Sequence, residues 1–218
     1  MRPHVHVNCA MSLDGKIALA DGRQMRISSE EDMARVYRLR NECDAVLVGV
    51  GTVLMDDPKL TVKEKYVDVV RQPLRVILDT HLRTPPEAEV MSDAAPTLIA
   101  TGGPSFKQDR VEAVKCGDGR VELPRVLSLL DERGVERVLV EGGETVIYSF
   151  LQAHLVDVLT VYVAPMVIGG TVTPTMAGGP GATAPSDVIE LAFGSMEQLG
   201  DGVLLTLHPS VADDLDEE

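Results

Sequence analysis

A chain of 218 residues with 44% hydrophobic content builds one compact domain with a real core and falls short of two ordinary ones. Its 20 Lys and Arg against 34 Asp and Glu leave a net charge of −14, which repels nucleic acid, and an aromatic content of 3% without Trp offers no stacking platform for single strands. Cys9, Cys43 and Cys116 are odd in number and form no CxxC, which argues against a disulfide framework or structural zinc and suits a reducing cytosol.

The N-terminus, MRPHVHVNCAMSLDG, has no long apolar run, and no later stretch approaches the length of a membrane span. A cytoplasmic protein without membrane or nucleic-acid partners is expected. In chain order, His4–Met11 is a β-prone run that ends at the turn Asp14-Gly15. Ser28-Ser29 followed by Glu30-Glu31-Asp32 reads as a capped helix start, with acidic residues where the helix dipole favours them, and the helical spacing continues to Cys43. Asp44–Gly49 is a continuous apolar run, as expected of a strand buried on both faces. Leu74–Leu78, Thr97–Ala100 and Val138–Val140 repeat that pattern. Helices are expected over Leu123–Glu132 and Glu144–His154, and further strands over Val158–Val163 and Gly202–Leu207.

This alternation predicts an α/β domain with a mainly parallel central sheet flanked by helices. The connection between the last two strands is rich in Gly and Pro, and an antiparallel pair is expected at that C-terminal edge. Residues 1–210 form a single domain in this reading, and the acidic 211–218 a flexible tail.

Two strand-to-helix turns are rich in glycine. Val48-Gly-Val-Gly-Thr52 lets the backbone approach a ligand, but the dinucleotide pattern GxGxxG fails because Leu54 occupies the third glycine position. The following Asp56-Asp57-Pro58 either caps a short helix or accepts hydrogen bonds from a cofactor. Val140-Glu-Gly-Gly-Glu-Thr145 places a Gly-Gly nest at a helix start, suited to an anion. Glu141 closes an apolar strand, where its carboxylate is partly desolvated, and Asp79 sits similarly after Leu74–Leu78. Ligands of parallel sheets bind beyond the carboxyl ends of the strands, which places Thr52, Asp56, Asp79-Thr80 and Glu141 at one edge. Helix capping is the plainer explanation for each carboxylate taken alone. The signatures of zinc deaminases, of Gly-x-Ser-x-Gly hydrolases and of Walker loops are missing, and the five histidines are scattered, so no metal is expected.

Four motifs, in order, closely resemble one family. They are Ser12-Leu-Asp-Gly-Lys16, the eighteen-residue Asp44–Thr61 (DAVLVGVGTVLMDDPKLT), Glu141-Gly-Gly143 and Ala164-Pro-Met-Val-Ile-Gly-Gly170. The family is the riboflavin-biosynthesis reductases that act on 2,5-diamino-6-ribosylamino-4(3H)-pyrimidinone 5′-phosphate, similar to the reductase half of the bacterial deaminase–reductase. The resemblance implies a dihydrofolate-reductase-like fold, NADPH as cofactor with NADH as an alternative, and a homodimer.

It also implies site roles. Ala10, Thr52, Asp56, Asp79, Thr80, Gly142, Gly143, Glu144 and Thr145 fall to the cofactor. Arg40, Leu60, Lys63 and Glu141 fall to the phosphorylated pyrimidine. Glu141, Asp14 and Lys16 are the catalytic candidates, with Glu141 stabilising an iminium or holding the pyrimidine amino groups. Arg83 or Lys107 is the candidate partner of a 2′-phosphate. A reductase without an attached deaminase resembles the archaeal and fungal arrangement, in which the substrate keeps its 2-amino group. Rival readings are the same reaction on the deaminated pyrimidine, a dihydrofolate-type reductase, and a non-catalytic nucleotide-binding regulatory module. Only six of the twenty basic residues are lysines, which with the acid excess hints at a salt-rich cytosol.

Overall fold

The computed structural model describes residues 2–210; the expected acidic tail, 211–218, lies outside the described residues. One ten-stranded sheet organises the chain. Its strands are β1 (His4–Ser12), β2 (Ala45–Gly49), β3 (Leu74–Leu78), β4 (Thr97–Thr101), β5 (Phe106–Gln108), β6 (Val111–Lys115), β7 (Arg137–Gly142), β8 (Val158–Ala164), β9 (Leu191–Leu199) and β10 (Gly202–Pro209). They lie in the order β5-β6-β4-β3-β2-β7-β1-β8-β10-β9. From β6 through β8 every neighbouring pair is parallel, whereas β5 and the β8-β10-β9 wing are antiparallel. The mainly parallel sheet with an antiparallel C-terminal edge is as expected.

The helices are α1 (Glu30–Glu42), α2 (Val50–Asp56), α3 (Leu123–Glu132) and α4 (Glu144–Gln152). Ser29 caps α1, its side chain accepting from Asp32 N–H, and Glu30, Glu31 and Asp32 occupy the first turn. The central strands are buried on both faces, so their alternate residues feed two cores. Leu47, Val138 and Val140 pack with Val126, Leu130, Ile147 and Phe150 of α3 and α4. Val46, Val48 and Leu139 pack on the other face with Val50, Val53, Leu60 and partly buried Leu39. Arg75 of β3 is a fully buried cation, and its guanidinium donates to the carbonyls of Glu89, Ser92 and Ala95, which fixes that connection.

Some boundaries move. β1 continues to Ser12, and α4 stops at Gln152 rather than His154, whose φ of 53° turns the chain out of the helix. Among the described residues, no helix is long and apolar enough to cross a membrane, and no cluster of His, Cys, Asp and Glu could hold a metal ion. All three cysteines are free and buried.

Candidate active site

Because β1, β2, β3, β4, β7 and β8 run parallel, their carboxyl ends converge on one edge. The two glycine turns meet there. A Cβ on Gly49 would lie 2.8 Å from Val146 Cγ2 of α4, and a Cβ on Gly143 would lie 3.4 Å from Thr52 Oγ1. By contrast, Cβ positions on Gly51 and Gly142 face open space. The Gly142–Gly143 peptide is cis, and Gly142 has a φ of 126°, a conformation that L side chains rarely adopt. Gly49-Val50-Gly51-Thr52 is not a loop: α2 begins at Val50, directly after β2, with Gly49 as its N-cap.

Two carboxylate oxygens at this edge are buried without a hydrogen-bond partner, Asp56 Oδ1 and Asp79 Oδ1. Asp56 ends α2, and burial pushes its carboxyl pKa up, opposed in part by Gln24. Asp79 is fully buried; its Oδ2 accepts from Thr84 N–H (2.7 Å) and Oγ1–H (2.8 Å), while Arg83 Nε stands 3.9 Å from Oδ1. Thr80 follows Asp79, and its carbonyl accepts from Gly102 N–H (3.1 Å) and Thr101 Oγ1–H (3.1 Å). Orphaned buried acceptors beside glycine-lined open backbone fit the hydroxyl and amide donors of a dinucleotide. Lys107, the other candidate for a 2′-phosphate, lies on β5 opposite Glu112, at the far end of the sheet order.

Glu141 stands near the end of β7 beside α1, whose Leu39 packs on the same face of the sheet as Val50 and Val53 of α2. Arg40 of α1 grips Glu141 with two hydrogen bonds, Nε to Oε1 and Nη2 to Oε2, each 2.7 Å, and Nη1 donates to Thr61 O at 3.1 Å. The pair is largely withdrawn from solvent, at 15% and 10% side-chain exposure. Burial works against the Arg40 charge, but Glu141 outweighs it and the guanidinium pKa rises. Tyr37 lies beside the pair: Arg40 and Lys63 each approach its ring centroid at 5.2 Å, and Tyr66 stacks on it at 4.7 Å. Leu60 is buried with a φ of 50°, fixing the turn that delivers Thr61 and Lys63. Ala10 lies on β1 and packs against the cluster of Ile27, Tyr162, Ala164 and Leu204.

Four candidates are engaged in other contacts. Asp14 accepts from Ser12 Oγ–H (2.6 Å), Ile168 N–H (3.0 Å) and Gly169 N–H (2.7 Å). Lys16 donates from Nζ to Thr173 O at 3.4 Å. Glu144 Oε2 accepts from Thr175 N–H at 2.9 Å, and Thr145 O accepts from Ser149 Oγ–H at 2.7 Å. Tyr37 carries no motif of its own and was not among the expected site residues; its helical spacing from Arg40 is the one sequence signal that could have marked it.

A mainly parallel sheet with glycine turns and two unbonded carboxylate oxygens at one edge defines an α/β fold of the dihydrofolate-reductase type. The chain belongs to the RibD C-terminal domain family, whose model matches residues 3–205. It is 42% identical to the 2,5-diamino-6-ribosylamino-4(3H)-pyrimidinone 5′-phosphate reductase of Methanothermobacter thermautotrophicus, over 94% of this chain and 97% of that one. It is 40% identical to the riboflavin biosynthesis protein RibD of Bacillus amyloliquefaciens, over 99% of this chain and 60% of that one. The crystal structure of the Thermotoga maritima deaminase/reductase superposes with a TM-score of 0.82 at 30% identity, over 96% of this chain and 57% of that one.

Proposed function

We propose that this protein catalyses the NADPH-dependent reduction of the ribosyl group of 2,5-diamino-6-ribosylamino-4(3H)-pyrimidinone 5′-phosphate to the ribityl chain. The observation that carries this reading is the match to the Methanothermobacter reductase over 97% of that protein's length. The geometry supports it: glycine turns, orphaned acceptor oxygens and a buried charged pair gather at the carboxyl ends of the parallel strands.

Gly142, Gly143 and Thr145 at the start of α4, with Thr52, Asp56, Asp79 and Thr80, would hold the dinucleotide, and Ala10 would border it. When bound, the nicotinamide supplies the hydride. The chain's own task is alignment and charge. The aminoribosyl group opens to an imine at its anomeric carbon, and an electron-poor carbon of this kind is stabilised by a nearby carboxylate. Glu141 provides that carboxylate, held in one orientation by Arg40. Arg40 and Lys63 supply the cationic side that a 5′-phosphate requires, with Leu60 shaping the turn between them. Lys16, whose Nζ donates to Thr173 O, would also donate to a substrate hydroxyl. A homodimer joined through the β9 wing fits the exposure of Phe193 (74%) and Met196 (72%) there.

The deciding experiment mixes purified protein with NADPH and the ribosylaminopyrimidine phosphate and follows NADPH absorbance. Oxidation with the 2-amino substrate is expected, faster with NADPH than with NADH. Turnover only with the deaminated pyrimidine would overturn the substrate assignment, and no oxidation with either would overturn the reaction.

A further inference from the structure

The connection after β8 is tied to the rest of the molecule at two carboxylates that no catalytic step uses. At its start, Asp14 accepts from Ile168 and Gly169 N–H as well as from Ser12 Oγ–H, and Leu13 N–H donates to Met166 O at 2.8 Å. In its middle, Thr175 pairs with Lys16 as an antiparallel bridge, Ile17 N–H donates to Pro174 O at 3.0 Å, and Met176 N–H donates to Gly15 O at 3.2 Å. At its end, Glu144 takes Thr175 N–H on its side chain and Gly178 N–H (3.2 Å) on its carbonyl. A Cβ on Gly178 would lie 2.7 Å from Glu144 Cδ, and one on Gly179 2.6 Å from the Tyr148 ring. Segment 166–179 is therefore a strap that starts at the turn after β1 and finishes against the first turns of α4.

Glu144 immediately follows the Gly142-Gly143 turn, so the strap walls the place where the proposed cofactor meets helix N–H groups. Three donors already occupy the Asp14 carboxylate, which favours its ionised form and leaves it poorly suited to moving a proton. We infer that Asp14 is a positioning residue: it pins the start of segment 166–179 to the turn after β1, keeps in place the strap whose far end rests on α4, and acts on the reaction through cofactor retention rather than proton transfer. Glu144 is the second pin of the same strap. This inference rests on the cofactor reading of the Gly142-Gly143 turn given above.

Asp14→Asn keeps the side chain's size but sets an amide against an N–H donor that the second carboxylate oxygen now accepts. The test reads nicking by thermolysin, which cuts before apolar residues such as Val167 and Val172, exposed at 72% and 84%. It also reads steady-state kinetics. Expected for Asp14→Asn are faster nicking within the strap, suppressed by saturating NADPH, and a KM for NADPH raised about tenfold, as loss of one charge-assisted hydrogen bond predicts. Its kcat at saturating NADPH should fall far less. Glu144→Ala should behave alike, and Glu144→Gln, which still accepts from Thr175 N–H, should restore the parent behaviour. A collapsed kcat with unchanged KM would make Asp14 a chemical participant and overturn the inference, as would unchanged nicking in both Asp14→Asn and Glu144→Ala. Faster nicking that NADPH does not suppress, even in the parent protein, would overturn the cofactor reading while leaving the clamp in place.

Discussion

Arg40 and Glu141 answer to each other, and removing one charge strands the other in a site largely closed to water. Glu141→Gln preserves volume and one acceptor but loses the carboxylate proposed to face the reacting carbon. Its kcat should fall roughly 100-fold or more, the scale of a lost positioned charge, with the cofactor KM little changed. Weakened cofactor binding instead would move Glu141 into the nucleotide site. Thr52→Ala and Asp56→Ala should do the reverse, raising the cofactor KM before kcat is touched. His6 makes a separate prediction about stability. Its ring shares a 2.9 Å hydrogen bond with Thr160, and burial, aided by Arg35, His4 and Arg137, lowers its pKa to about 4. The unfolded chain takes up that proton near the ordinary value of about 6.5, so stability is intact above that pH and drains away as pH falls toward 4. The loss is on the order of 1–3 kcal/mol. Urea midpoints at pH 7 and pH 5 should differ less for His6→Gln, and an equal difference would refute the assignment.

At the level of elements, the glycine turns separate packing from binding. Gly49→Ala would press a methyl to 2.8 Å from Val146, and its midpoint should show a loss of about 1–3 kcal/mol. Gly51→Ala meets open space inside α2, so its stability should rise by about 0.5–1 kcal/mol. If Gly51 is there for close approach of a dinucleotide, that more stable variant should bind NADPH more weakly by isothermal titration. The strands buried on both faces were legible because uninterrupted Val, Leu and Ile runs admit little else, and α1 was legible from its Ser cap. α2 was not, since Gly49 at its N-cap and Gly51 within it disguise a helix that tertiary packing of Val50 and Val53 secures. β9 was hidden for another reason: its middle residues are exposed on both faces, leaving no alternation to read. Glu141, Arg40 and the Gly-Gly turn stood out as local patterns. The strap's pins escaped because Asp14 and Ile168 are far apart in the chain, and no spacing rule spans that distance.

As a whole molecule, the sheet ends in an open edge. Phe193 and Met196 sit on β9 beside Leu207 and Leu205 of β10 in the ladder, a patch that an isolated chain would leave wet. A homodimer sealing this edge should give twice the chain mass in sedimentation, and Met196→Glu should halve it; an unchanged mass would place the interface elsewhere.

The strand order also dictates when the site comes into being. β7, Arg137–Gly142, lies between β1 and β2, so the two earliest strands do not touch until the chain has been synthesised past residue 142. A nascent chain stalled short of β7 has the partners for one fragment, β5-β6-β4-β3-β2, and leaves β1 without either of its neighbours, β7 and β8. Completion of the sheet's carboxyl edge therefore waits for β7, whose own last residues, Glu141 and Gly142, belong to the candidate site.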